Sequence, residues 1–72
     1  MHAIKDTKEL GKIIRETRRK QNLTQEQLAA TCGVGMRFIR ELEQGKESCH
    51  IGKAMMLLHM LGIQIIIDEE GI

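Results

Sequence analysis

The chain has no proline, tryptophan or tyrosine, a single phenylalanine and only two cysteines. Cys32 and Cys49 are too few and too weakly patterned to build a disulfide framework. No membrane-length apolar run and no cleavable leader pattern is present, so a protein of the reducing cytoplasm, without a membrane partner, is expected. Cys49 and His50, with His59 and His2 elsewhere, do not fall at zinc-ligand spacing, and neither a metal nor a cofactor is expected. Catalysis needs a nucleophile beside a base and an orienting group, whereas Cys32 sits on an apolar face with no His near it in sequence. A chain of 72 residues also has little room to enclose a substrate, so an enzyme is not expected.

What is present is ordinary for a soluble globular domain: 42% hydrophobic residues, 29% charged, and a net charge of +1. Length predicts one domain, residues 1–72. One core of this size leaves a few kcal/mol of net stability at most, so association with a second copy is expected. The charge is unevenly placed. Residues 1–46 hold ten Lys or Arg against six acids, whereas residues 47–72 hold one Lys against four. A basic working face and an acidic end follow from that asymmetry.

Helical periodicity accounts for most of the chain. Asp6 and Glu9 have capping-box spacing, and Leu10, Ile13, Ile14 and Thr17 recur at helical intervals, predicting a first helix from about Thr7 to Gln21. Its other face carries Lys8, Lys12, Arg15, Arg19 and Lys20, and Asn22 tolerates the left-handed conformation that ends helices. Thr24 and Gln27 open a short second helix with Leu28, Ala29 and Cys32 on one side. Gly33 supplies the positive φ of a sharp turn, and Val34 plugs its inside. A third helix, Met36 to Gln44, is closed by Gly45. After Ser48 or Cys49 a fourth runs from about His50 to Leu61, with Ile51, Ala54, Leu57, Leu58 and Leu61 as its apolar stripe and Gly62 as its end. Met55, Met56 and Met60 read as core filler or dimer contact. Residues 63–68, Ile-Gln-Ile-Ile-Ile-Asp, are β-branched and too short for a helix before the acidic run Asp68, Glu69 and Glu70, so they predict a strand. A lone strand must find a mate, and this chain offers no other.

Two short helices joined by a tight glycine-containing turn, the second with an apolar anchor face and a polar outer face, meet the physical requirements of a helix-turn-helix. Phe38, Ile39 and Leu42 anchor the third helix; Arg37, Arg40, Glu41 and Gln44 share its opposite side. Arg37 and Arg40 suit guanine edges or phosphate, Glu41 suits the cytosine amino donor, and Gln44 suits bases or backbone. Gly35 keeps the turn small, and the positive end of the helix dipole beside it favours phosphate. Lys12, Arg15 and Arg19 read first as a solvated helix face, with phosphate contact as the lesser alternative, and stay outside this site.

The run Thr24-Gln25-Glu26-Gln27-Leu28-Ala29, then Gly33-Val34, Ile39, Leu42-Glu43 and Gly45-Lys46, resembles the Xre-like family that includes the phage repressors. That resemblance implies that Gln25 bonds a phosphate, that Met36, Arg37, Arg40 and Glu41 face the major groove, and that Lys46 approaches the backbone. It also implies a structural ion pair of Arg18 with Glu43. Gly35 and Met36 depart from the small polar and amide residues that many phage repressors place there, so readout by Met36 is apolar, for instance against a thymine methyl.

Over residues 7 to 68 the chain is similar to the HipB-type antitoxins, through the Gly33-Val34-Gly35 turn, Arg37-Phe38, Leu42-Glu43-Gln44-Gly45-Lys46, the fourth helix and the isoleucine strand. The fold class implied is mainly α, a four-helix repressor-like helix-turn-helix domain with one C-terminal β-strand pairing across a dimer through Ile63, Ile65, Ile66 and Ile67. The implied function is a transcriptional repressor, homodimeric, on a palindromic double-stranded DNA operator. A HipA-like kinase toxin is the implied protein partner, and a stand-alone Xre-like regulator without a toxin is the alternative.

Overall fold

The computed structural model describes residues 3–69. His2 and Glu70, both named above, lie outside the described residues. Four helices follow one another: α1 (Thr7–Lys20), α2 (Gln25–Cys32), α3 (Met36–Glu43) and α4 (Ile51–Met60). None is long and apolar enough to cross a membrane.

The helix starts follow local hydrogen-bond chemistry. Asp6 accepts from the Glu9 N–H at 2.9 Å, although the Glu9 carboxylate turns back to the Lys5 N–H at 2.6 Å instead of closing a reciprocal box on Asp6. At α2 the box is complete: Thr24 Oγ1 accepts from the Gln27 N–H, and Gln27 Oε1 accepts from the Thr24 N–H. The cap of α4 is neither Ser48 nor Cys49. It is His50, whose Nδ1 accepts from the Lys53 N–H at 3.1 Å, an imidazole lone pair doing what a side-chain oxygen usually does at a helix start.

All four helices close alike. A left-handed residue, Asn22, Gly33, Gly45 or Gly62, turns the chain, and the next residue returns its N–H to the helix: Leu23 to Arg18, Val34 to Ala29, Lys46 to Glu41 and Ile63 to Leu58. These are the paired hydrogen bonds that satisfy the last carbonyls of a helix. Each also swings an apolar or amphipathic side chain back over the preceding turn.

The core lies between the helices. Ile14, Leu28, Ile39 and Leu57 are its largest fully buried side chains, joined by Cys32, Leu42, Ala54, Leu58 and Leu61. Burying each large aliphatic stabilises the fold by roughly 1.5–3 kcal/mol. Burial also pushes the Cys32 thiol up from its ordinary value, so it stays protonated and packs as a small hydrophobe.

Packing of α1 against α3 depends on Gly11. A Cβ there would lie 2.5 Å from the Leu42 carbonyl oxygen and 2.6 Å from that of Glu43. Beside it Thr7 Oγ1 donates to the Gly45 carbonyl at 2.6 Å. At this point the two backbones therefore touch with no side chain between them.

Two expectations for the C-terminal third need correction. Ile51 is 67% exposed and does not belong to the buried stripe of α4, which begins at Ala54. Cα–Cβ bonds tilt toward a helix N-terminus, so a first-turn side chain overhangs the end of the core. Met55, Met56 and Met60 are also exposed, which rules out a core-filling role within one chain. Residues 63–69 carry no helix and, among the described residues, no strand ladder. Ile63 packs half-buried against the core, whereas Ile65, Ile66 and Ile67 stand in solvent.

Candidate nucleic-acid interface

α2 and α3 form the bihelical unit, with the turn Gly33–Gly35 between them. Gly33 sits at φ +69, where side chains are disfavoured. Gly35 is different. Its φ is −78, and an added Cβ would meet nothing within 4 Å. The fold itself does not require glycine at that position, and α3 starts there with no side-chain cap.

The eight residues of α3 divide cleanly. Ile39 and Leu42 are buried, and Phe38 is half-buried against the core. On the other side Arg40 and Gln44 are exposed, and the Arg37 side chain is 83% accessible. The two arginines singled out from the sequence are thus presented, not packed away.

Glu41 lies between two cations. Lys46 Nζ donates to its Oε2 at 3.0 Å, and Arg37 Nε approaches the same oxygen at 3.4 Å. The hydrogen bond and charge of Lys46, with Arg37 adding to them, hold the Glu41 carboxyl below its ordinary value. Glu41, Arg37 and Lys46 therefore form one local cluster at the exposed side of α3.

Behind it, Arg18 and Glu43 form the ion pair expected from the resemblance. Arg18 Nε and Nη2 donate to the two Glu43 oxygens at 2.7 and 3.1 Å, and Nη1 donates to the Leu23 carbonyl at 2.8 Å. Both residues are 7% exposed. Gln25 joins this pair, its Nε2 donating to Glu43 Oε1 at 3.1 Å. An amide nitrogen carries two protons, so one N–H of Gln25 is engaged here and the other is left for a ligand. Met36 is half-buried, packed against the core.

An open cleft unites these parts. Met36 and Arg40 of α3, Gln44 at its C-terminal end, and Gln25 and Glu26 of α2 line one side, and Lys8, Lys12, Arg15 and Arg19 of α1 line the other. Lys12, Arg15 and Arg19 read from the sequence chiefly as a solvated helix face; Lys8 joins them here. Their i, i+4, i+7, i+11 spacing marks one face of α1, a signal present in the sequence; which way that face points was set by Gly11. Gly35, Arg37, Glu41 and Lys46 are not among the cleft residues, and lie on the turn and the outer part of α3.

A helix-turn-helix family model matches residues 14–66. An uncharacterised HTH-type transcriptional regulator, y4mF, of Sinorhizobium fredii (strain NBRC 101917 / NGR234) is 45% identical over 68 residues, spanning 94% of this chain and 90% of that protein. Among solved structures, a chain from a HipA-HipB-O2-O3 complex superposes with TM-score 0.86 at 17% identity, covering 97% of this chain and 99% of that one. A chain from a HipB-O1-O2 complex gives TM-score 0.85 at 17% identity, with coverage of 96% and 100%. The capped helix pair, the glycine turn and the exposed arginine face fit that company, and the chain belongs to the Xre-like helix-turn-helix family.

Proposed function

We propose that this protein is a sequence-specific, DNA-binding transcriptional repressor of the cytoplasm that works as a homodimer on a palindromic operator. The observation that carries the reading is the outward face of α3, where Arg37 and Arg40 are exposed directly opposite the buried Ile39 and Leu42. Such a helix lies in a major groove with its anchor face toward the protein. Arg40 and Gln44 read base edges, Met36 offers an apolar contact, and Arg37 with Glu41 meets bases or backbone. Gln25, Lys46 and the backbone at Gly35 meet phosphates, which position the protein without reading sequence.

Residues 63–68 supply the dimer contact. Ile65 and Ile66 are exposed beside Met55, and Ile67, Met56 and Met60 are exposed as well. Pairing these segments between two copies would complete their backbone hydrogen bonds and cover this apolar surface. It would also set two reading helices roughly 34 Å apart, on successive major-groove faces.

A second role is favoured by the likeness to the chain of the HipA-HipB-O2-O3 complex: an antitoxin that binds a HipA-like kinase toxin and autoregulates its operon. The relative described as a transcriptional regulator fits equally a stand-alone regulator.

The test is selection of duplexes from a random-sequence pool, followed by quantitative binding. Wild type should enrich an inverted repeat, and Arg40→Ala should lose about 1–3 kcal/mol of affinity for it while sedimenting as the same dimer. Absence of any enriched sequence, or an unchanged affinity for Arg40→Ala, would overturn the assignment.

A further inference from the structure

We propose that Lys8, Lys12, Arg15 and Arg19 form a phosphate clamp, gripping the sugar–phosphate backbone beside the groove that α3 reads. The proposal rests on the DNA-binding reading above and extends its footprint to a second, sequence-independent surface.

The division of labour among the cations carries the argument. Arg18 is committed to Glu43, and Arg37 and Lys46 share Glu41. Lys8, Lys12, Arg15 and Arg19 are exposed and, among the described residues, make no ion pair. Two acids, Glu26 and Glu43, also line the cleft, but Glu43 is already neutralised by Arg18. The cleft is therefore cationic along its α1 wall.

That wall is intrinsically unfavourable to its own helix, because like charges three and four residues apart repel. Glu9 and Glu16 stand three or four residues from Lys12 and Arg19 and offset part of that repulsion, but among the described residues neither closes an ion pair, so nothing within the helix cancels the rest. An external polyanion would. Eleven residues of helix place Lys8 and Arg19 about 16 Å apart along the axis, and one strand of a duplex advances about 3.4 Å per phosphate. At about 16 Å the stripe is long enough to run beside about five phosphates of one strand, while Met36, Arg40 and Gln44 across the cleft remain turned to the bases.

A clamp on phosphates tightens binding to every sequence alike, and this separates it from the role of α3. The experiment compares wild type, a variant combining K8Q, K12Q, R15Q and R19Q, the single variant Arg40→Ala, and Lys53→Gln on α4 as a control. Each is titrated by fluorescence anisotropy over a series of salt concentrations against two duplexes: the sequence enriched by wild type and a random sequence of equal length. The combined variant should lose about tenfold or more on both duplexes by the same factor, with the slope of log K on log salt falling by about 0.9 per lost contact. Its thermal midpoint should stay close to that of wild type, because all four side chains are exposed and relief of their repulsion is balanced by loss of the nearby Glu9 and Glu16 attractions. Arg40→Ala should instead lower the ratio between the duplexes, and Lys53→Gln should change nothing.

An affinity and salt slope equal to wild type would overturn the clamp, as would a loss confined to the enriched duplex, or a loss matched by a lowered midpoint. If the combined variant does not fold, the pairs K8Q with K12Q and R15Q with R19Q replace it under the same criteria. Failure of wild type to bind either duplex would remove the DNA reading and the clamp together. Binding by wild type that the variant retains unchanged would remove the clamp alone.

Discussion

Arg18 of α1 grips Glu43 of α3 with two parallel hydrogen bonds, 2.7 and 3.1 Å long, in a position nearly closed to water. The pair joins the first helix to the end of the reading helix and holds Gln25 through the same carboxylate. Removing one member strands the other as a buried charge, which typically costs about 3–5 kcal/mol. Arg18→Met should therefore lower the urea midpoint sharply. Adding Glu43→Leu should recover much of the loss, because a well-packed apolar pair often replaces a buried ion pair at little cost.

Gly11→Ala should be the most disruptive methyl addition in α1. The new Cβ would fall 2.5 Å from the Leu42 carbonyl oxygen, and backbone cannot swing aside as a side chain can. Overpacking of this kind costs about 1–3 kcal/mol, against the gain in helix propensity that alanine brings elsewhere. A thermal melt should show a lowered midpoint, with Gly35→Ala as the tolerant comparison, since nothing lies within 4 Å of its added Cβ.

Glu41→Gln should strengthen non-specific DNA binding and steepen its salt dependence, because Lys46 and Arg37 lose their shared internal counter-ion. Anisotropy titrations at two salt concentrations would check this. The same change bears on pH. The folded-state carboxyl is held below its ordinary 4.5, so its contribution to stability is fully present above that value and drains away as pH falls through the lower, folded-state one. Wild type and Glu41→Gln should therefore differ least in stability at the acid end. Chemical denaturation across the acid range measures that difference.

Deleting residues 64–72 should weaken self-association and operator binding together. Ile63 is kept because it packs on the core and its N–H closes α4 on the Leu58 carbonyl. Analytical ultracentrifugation should show dissociation at concentrations where the intact chain stays paired. A circular dichroism spectrum should show the four helices retained.

Local signals carried most of the helical plan. The Thr24–Gln27 box, the left-handed stops at Asn22 and Gly33, and the split face of α3 are all encoded within a few residues of one another, and all stand in the structure. What escaped depends on distant parts of the chain. Gly11 reads as a weak helix residue until α3 lies against it. Ile51 has the period of a buried residue but overhangs the core, and His50 caps α4 with a group outside the usual hydroxyls and amides. For the site, Arg37 and Arg40 were legible because a short amphipathic helix has only one free side. The α1 cations were visible as one basic helix face with phosphate contact as an alternative, but a basic stripe does not show which way it points until the neighbouring helix is placed. The Gln25 contact with Glu43 was invisible, being a link between residues 18 apart.

The backbone contact at Gly11 has a mechanical consequence. Where α1 crosses the end of α3 the backbones meet directly at Gly11, and the Arg18–Glu43 pair ties the same two helices a little further along, so sliding or rolling one on the other would break both contacts. The basic wall of α1 and the outer side of α3 are thus held at a fixed angle by a joint that tolerates no added atom.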